Sequence, residues 1–158
     1  MSPPIPRVFI IRHGETEWSL NGRHTGTSDI PLTDNGISRV RATGRALVGP
    51  NRLISPRQLA HVYCSPRSRA RTTLGLLLDA DAEALPQVRS GQEAQDGKLP
   101  LQGTQGEGGM LNVTVTEQVA EWDYGQYEGI TSKEIAKQRE GKGEQAWDIW
   151  RDGCPGGE

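Results

Sequence analysis

A chain of 158 residues with a formal net charge of −2 has the length of one domain, which would bury roughly 70% of its unfolded surface. Only 34% of the residues are hydrophobic, while 20 glycines and 10 prolines point to irregular stretches. The charge balance argues against a general polyanion binder; no apolar run approaches the ~20 residues of a membrane span; and two cysteines without a CxxC partner suit a reducing interior.

The N-terminal MSPPIPR lacks the apolar core of a signal peptide, so a cytoplasmic protein is expected, with the nucleus also open. Residues 8–11 (VFII) form a short continuous apolar run, the pattern of a strand buried on both faces. It runs directly into Arg12, His13 and Gly14. After a loop, Leu32-Thr33 opens a helix that Thr33 can cap, with Ile37, Val40, Gly44, Leu47 and Val48 on one stripe. Residues 61–64 read as a second strand. Ser65-Pro66 then reads as a helix start, with Ala70, Thr73, Leu74, Leu77 and Leu78 as its buried face.

From residue 79 to 109 the periodicity collapses, and 86–109 is expected to be a disordered or loosely held insertion. Residues 111–115 (LNVTV) alternate as a third strand. Thr131-Ser132-Lys133-Glu134 is a capping-box signature for a helix through about Arg139. A last short helix is expected to hold Trp147 and Trp150 before Gly153. The alternation of strands and helices predicts an α/β domain with a mainly parallel sheet. Three strands are few for such a sheet, so residues 1–158 read as the N-terminal part of a single larger domain, incomplete at the C-terminus and poorly soluble alone.

In open α/β sheets the binding crevice lies beyond the carboxyl ends of the strands. Arg12 and His13, then Ser65, Arg67 and Arg69, then Glu121 all follow predicted strands. Two guanidiniums and a helix N-terminus can hold a phosphate through charge-assisted hydrogen bonds. A neutral imidazole among them can attack phosphorus.

RHGETEW after an apolar strand, SPRSRARTT about fifty residues later, and EWDYGQYEG beyond it together resemble the histidine phosphatase (phosphoglycerate mutase-like) superfamily. The resemblance covers 7–78 and 111–158. Within the superfamily, GRHTGTSDIPLT, EWDYGQYEGITSKEI and WDIWRDGCPGGE are most similar to the fungal sedoheptulose 1,7-bisphosphatases. The resemblance implies a three-layer αβα sandwich and a phosphatase acting on a small phosphorylated sugar, sedoheptulose 1,7-bisphosphate above all. It implies that His13 is the nucleophile that becomes phosphohistidine, that Arg12 and Arg69 grip the phosphoryl oxygens, and that Glu121 gives and takes the proton. Thr25 and Gly26 would line the substrate side with Tyr124 nearby; neither metal nor cofactor is implied.

No nucleic-acid or membrane partner is expected, and a homo-oligomer is left open. The family completes its pocket with a second histidine, which neither His24 nor His61 matches. Arg67 and Arg71 are expected either to face solvent or to extend the pocket toward a second phosphate. Glu15 and Glu128 read either as structural or as supporting the site residues from behind, and Trp18, Trp122, Trp147 and Trp150 as packing or substrate-wall residues. Three other functions stay open. One is mutase-type phosphoryl transfer and another a non-catalytic phosphate-binding module. The third is an RNA-binding segment on SPRSRAR, against which the net charge and the following leucine stripe weigh.

Overall fold

Two helices laid side by side organise the first half of the chain. The computed structural model describes residues 5–89, 91–101 and 109–157. Helix α1 (Glu17–Asn21) is a single turn capped by Thr16. Helix α2 (Asp34–Leu47) starts where expected, with the Thr33 hydroxyl accepting the Gly36 N–H, and buries Gly36, Val40 and Gly44. Gly44 has no space for a side chain, because an added Cβ would lie 2.6 Å from the Leu77 carbonyl oxygen. That closeness lets α2 pack on helix α3 (Ser68–Leu78).

Helix α3 begins two residues later than Ser65-Pro66 suggests. Its N-cap, Arg67, offers no side-chain cap. The cap comes instead from a distant loop, where the Asp29 carboxylate accepts both the backbone N–H and the hydroxyl of Ser68, each at 2.8 Å.

Three described strands form one sheet in the order β1 (Val62–Cys64), β3 (Met110–Val115), β2 (Gln95–Pro100). β1 and β3 are parallel, whereas β2 and β3 are antiparallel. The sheet is therefore mixed rather than mainly parallel. Its inner face carries Cys64, Leu99, Leu111, Val113 and Val115, which form the core with Leu78, Leu85 and Val88. The alternate residues Tyr63, Asp96, Lys98 and Asn112 are exposed, as the pleat of a half-buried antiparallel pair requires.

Two expectations fail here. Residues 8–11 join none of the described strands, and Val8, Ile10 and Ile11 are 83%, 94% and 51% exposed. The reason is topological: β3 has partners on both sides, and nothing described pairs with β1 on its outer edge. The second failure lies inside the stretch expected to be loose. Gln95–Pro100 is β2, and Leu99 faces Leu111 in register with no exposed surface. Gly97 is required there, since a Cβ would stand 2.5 Å from the Pro86 ring. The rest of that expectation, at Ser90 and 102–108, lies outside the described residues.

Toward the C-terminus, helix α4 (Ser132–Glu140) has the expected capping box between Thr131 and Glu134. Helix α5 (Ile149–Asp152) holds Trp150, with Trp147 just before it. Among the described residues no helix is long and apolar enough to cross a membrane.

Candidate active site

His13 is fixed through its neighbour Gly14. Its ring Nδ1 lies 2.7 Å from the carbonyl oxygen of Gly14, so Nδ1 carries the proton and donates it, and the lone pair stands on Nε2. The Gly14 N–H donates to the Thr73 hydroxyl (2.9 Å), which in turn donates to the Arg69 carbonyl (2.7 Å). This chain of bonds ties the RHG segment to α3. Gly14 is demanded by packing rather than by a turn, because a Cβ would stand 2.8 Å from Val40 on α2.

The electrostatics favour a neutral imidazole. Burial lowers the His13 pKa below its ordinary 6.5, and the guanidiniums of Arg69 and Arg12 push in the same direction. The Gly14 bond and the charge of Glu121 oppose them but do not win. Arg12, Arg69 and Glu121 therefore all stand close enough to His13 for their charges to act on it. Tyr124 belongs to the same cluster. Its hydroxyl is pushed up to about 12 by burial and by Glu121, with Arg12 opposing. The Tyr124 ring lies 4.8 Å from that of His24, and Trp147 closes on His24 edge-on at 5.2 Å.

Glu15, next in the RHGE run, has the structural role expected of it. It accepts from the Thr33 hydroxyl (2.6 Å) and from Asn35 (3.1 Å to each oxygen). The start of α2 is thereby tied to the RHG segment. These hydrogen bonds hold the Glu15 carboxyl below the usual range. A cavity of about 710 Å³ opens beside it, lined by Arg12, His13, Arg23, His24 and Arg39 among others. Arg69, Thr25, Gly26, Glu121 and Tyr124 lie outside that lining.

Arg69 is 2% exposed, and its guanidinium is largely engaged. It donates to the backbone carbonyls of Ser28 (2.7 Å), Gly26 (2.8 Å) and Thr25 (3.1 Å). The residue that the sequence puts on a phosphate thus braces the loop that holds Thr25 and Gly26. The other arginines of SPRSRART do not extend the site. Arg67 pairs both ways with Glu117 (3.2 and 3.1 Å), and Arg71 donates to the carbonyls of Ala82, Leu85 and Pro86.

Glu121 is exposed, one oxygen accepting the Trp122 N–H at 3.1 Å. The first of the two histidines unmatched by the family, His24, bonds Ser132 (3.1 Å) beside this cluster. The second, His61, sits on the exposed sheet face against Thr114 (2.7 Å), which donates to Asp96. Among the described residues no group of three or more His, Cys, Asp or Glu side chains could hold a metal ion. Sequence reading left Asp29 out and gave Thr73 only a place on the buried face of its helix, although Asp29 caps α3 and Thr73 anchors Gly14. Neither carries a local signal, since each partner is more than thirty residues away.

A histidine on which two guanidiniums and a carboxylate act is thus the centre of this cluster. The chain belongs to the histidine phosphatase superfamily, branch 1, whose family model matches residues 8–91 and 100–158. The gap in that match falls on most of β2. Among individual relatives, the chain is 36% identical over 156 residues to a sedoheptulose 1,7-bisphosphatase of Saccharomyces cerevisiae, covering 97% of this chain and 49% of that one. It is 34% identical over 152 residues to an acid phosphatase of Mycobacterium tuberculosis (96% and 55%). It is 32% identical over 157 residues to a 2,3-bisphosphoglycerate-dependent phosphoglycerate mutase of Methylocella silvestris (96% and 59%).

The chain spans about half the length of the curated relatives it matches. A solved structure of a Mycobacterium tuberculosis open reading frame, 34% identical, superposes with a TM-score of 0.56 over 92% of this chain and 54% of that one. An α-ribazole phosphatase from Shigella flexneri, 22% identical, shares the fold with a TM-score of 0.58 over 94% and 56%.

Proposed function

We propose that this chain carries the nucleophilic half of a phosphomonoesterase that works through a phosphohistidine at His13. The observation that carries the reading is the orientation of the imidazole. Nδ1 is committed to the Gly14 carbonyl, and burial with two nearby arginines keeps the ring neutral. The Nε2 lone pair attacks phosphorus; the ester P–O bond breaks, and its electron pair leaves with the alkoxide. The Glu121 carboxyl protonates that oxygen. Water then attacks the phosphohistidine, the P–N bond breaks, and the Glu121 carboxylate takes the water proton. Arg12 and Arg69 stabilise the charge that gathers on the phosphoryl oxygens, and Thr25, Gly26 and Tyr124 form the substrate side. The domain is read as a three-layer αβα sandwich, after the phosphoglycerate mutase-like proteins.

The substrate is a small phosphorylated sugar, and sedoheptulose 1,7-bisphosphate is the first candidate. The Saccharomyces cerevisiae relative, similar over 97% of this chain, supports that choice. Phosphate release from sedoheptulose 1,7-bisphosphate, fructose 1,6-bisphosphate and 3-phosphoglycerate tests it. Preference for the first supports the proposal, whereas isomerisation of 3-phosphoglycerate without release favours the mutase reading. Unchanged release by His13→Ala would refute the mechanism. One observation favours a binding-only module: three loop carbonyls already occupy Arg69. Phosphate binding without turnover or a ³¹P phosphohistidine signal would select that reading.

A further inference from the structure

Resting on the reading of His13 as a phosphoryl acceptor, we infer that Glu128 is a positioning residue, one that sets the height of the Thr25 and Gly26 backbone on the substrate side of the site. Its two carboxylate oxygens accept the Gly26 N–H at 3.0 and 2.9 Å, and one of them also accepts the Ser28 N–H at 2.9 Å. In the same loop Arg69 takes the carbonyls of Gly26 and Ser28 and also that of Thr25. A four-residue loop is thus pinned through its N–H groups by an anion and through its C=O groups by a cation. None of these bonds uses a loop side chain.

The pin also sets the loop against the proposed acid. Gly26 has no room for a Cβ, which would stand 1.9 Å from the backbone oxygen of Trp122, the residue after Glu121. Two further backbone bonds, His24 N–H to the Ile130 carbonyl (3.0 Å) and Gly129 N–H to the His24 carbonyl (2.9 Å), lock the same pair of segments in register. Glu128 is the charged member of this contact. A neutral glutamine has the same length, yet it brings an N–H₂ group toward two N–H donors and removes the charge opposite Arg69. An aspartate keeps the charge on a stem one methylene shorter.

The test uses the 158-residue chain as wild type, Glu128→Gln and Glu128→Asp, with two readouts. Hydrogen exchange at the Gly26 and Ser28 amides should accelerate by about tenfold or more in Glu128→Gln, while the Gly14 amide, held by Thr73, keeps its wild-type rate. For p-nitrophenyl phosphate, Glu128→Gln should raise KM about tenfold with kcat within about threefold, and Glu128→Asp should recover part of the loss. Unchanged exchange at Gly26 and Ser28 overturns the inference, and so does faster exchange with an unchanged KM. Acceleration of every amide, Gly14 included, reduces Glu128 to a general stabiliser and overturns it as well. A wild type silent toward p-nitrophenyl phosphate brings down the phosphomonoesterase reading instead. Inorganic phosphate titrated against the Thr25 and Gly26 amide shifts then decides the positioning claim, and equal apparent Kd in wild type and Glu128→Gln refutes it.

Discussion

Leu99→Ala tests whether β2 belongs to the core. Leu99 has no exposed surface and faces Leu111 within a cluster that includes Leu85 and Val88. The substitution removes three carbons, worth about 2.4 kcal/mol of transfer free energy at ~0.8 kcal/mol each. The cavity left behind adds to that, so a total of about 3 kcal/mol falls inside the range for buried Leu→Ala changes. With a urea m-value near ~2 kcal/mol/M, the unfolding midpoint should fall by about 1.5 M, read by tryptophan fluorescence. Lys98→Ala is the control. Lys98 is exposed on the opposite face, where it donates to Asn112, and its removal should shift stability by about 0.5 kcal/mol or less. Equal midpoints for the two variants would refute the placement of β2 and restore a loosely held insertion.

Gly26→Ala should destabilise the chain by about 1–3 kcal/mol in the same urea assay, because its Cβ meets the rigid backbone oxygen of Trp122 at 1.9 Å; a neutral result would mean the loop lies elsewhere. The His13 ring should titrate below 6.5 by NMR, in the direction that burial, Arg69 and Arg12 set. The unfolded chain then takes up this proton first, so stability is lost as pH falls from 6.5 through the lower folded value. His13→Gln should therefore be less sensitive to acid over that window than the wild type, and an equal slope would refute the assignment. Ile10→Lys, at a side chain 94% exposed, should change stability by about 0.5 kcal/mol or less while reducing self-association in sedimentation velocity, since it breaks an exposed apolar run; unchanged association would show that this run is not the sticky surface.

What was legible in the sequence is local in origin. Thr33 and the Thr131–Glu134 pair mark their helix starts because a capping hydroxyl and its N–H partner lie within three residues. The alternation of 111–115 likewise reports the two faces of β3 directly. Residues 8–11 show the limit of such signals. An apolar run records that a segment calls for cover, not what provides it, and none of the described strands pairs with this one. β2 was hidden for the opposite reason: one buried leucine in a polar, glycine-bearing stretch is too little for a period-2 signal, and pairing with β3 makes the strand.

The two charged residues that clamp the 25–28 loop show that members of a motif can make structural bonds that the motif itself does not announce. In SPRSRARTT, Arg69 reads as an anion ligand because it follows a strand and sits near a helix start. Its burial is compensated by carbonyls more than forty residues earlier in the chain, and no local pattern announces that. Each Nη bond to a carbonyl is one fewer for a phosphate, yet the guanidinium charge still acts on His13. Arg69 therefore favours a neutral His13 imidazole by its field while its hydrogen bonds shape the loop. Glu128 completes the division of labour by taking the N–H groups that Arg69, a pure donor, cannot. The YEG end of EWDYGQYEG is thus coupled to the same loop as the SPR block, which gives a physical reason for these separate blocks to occur together in one chain.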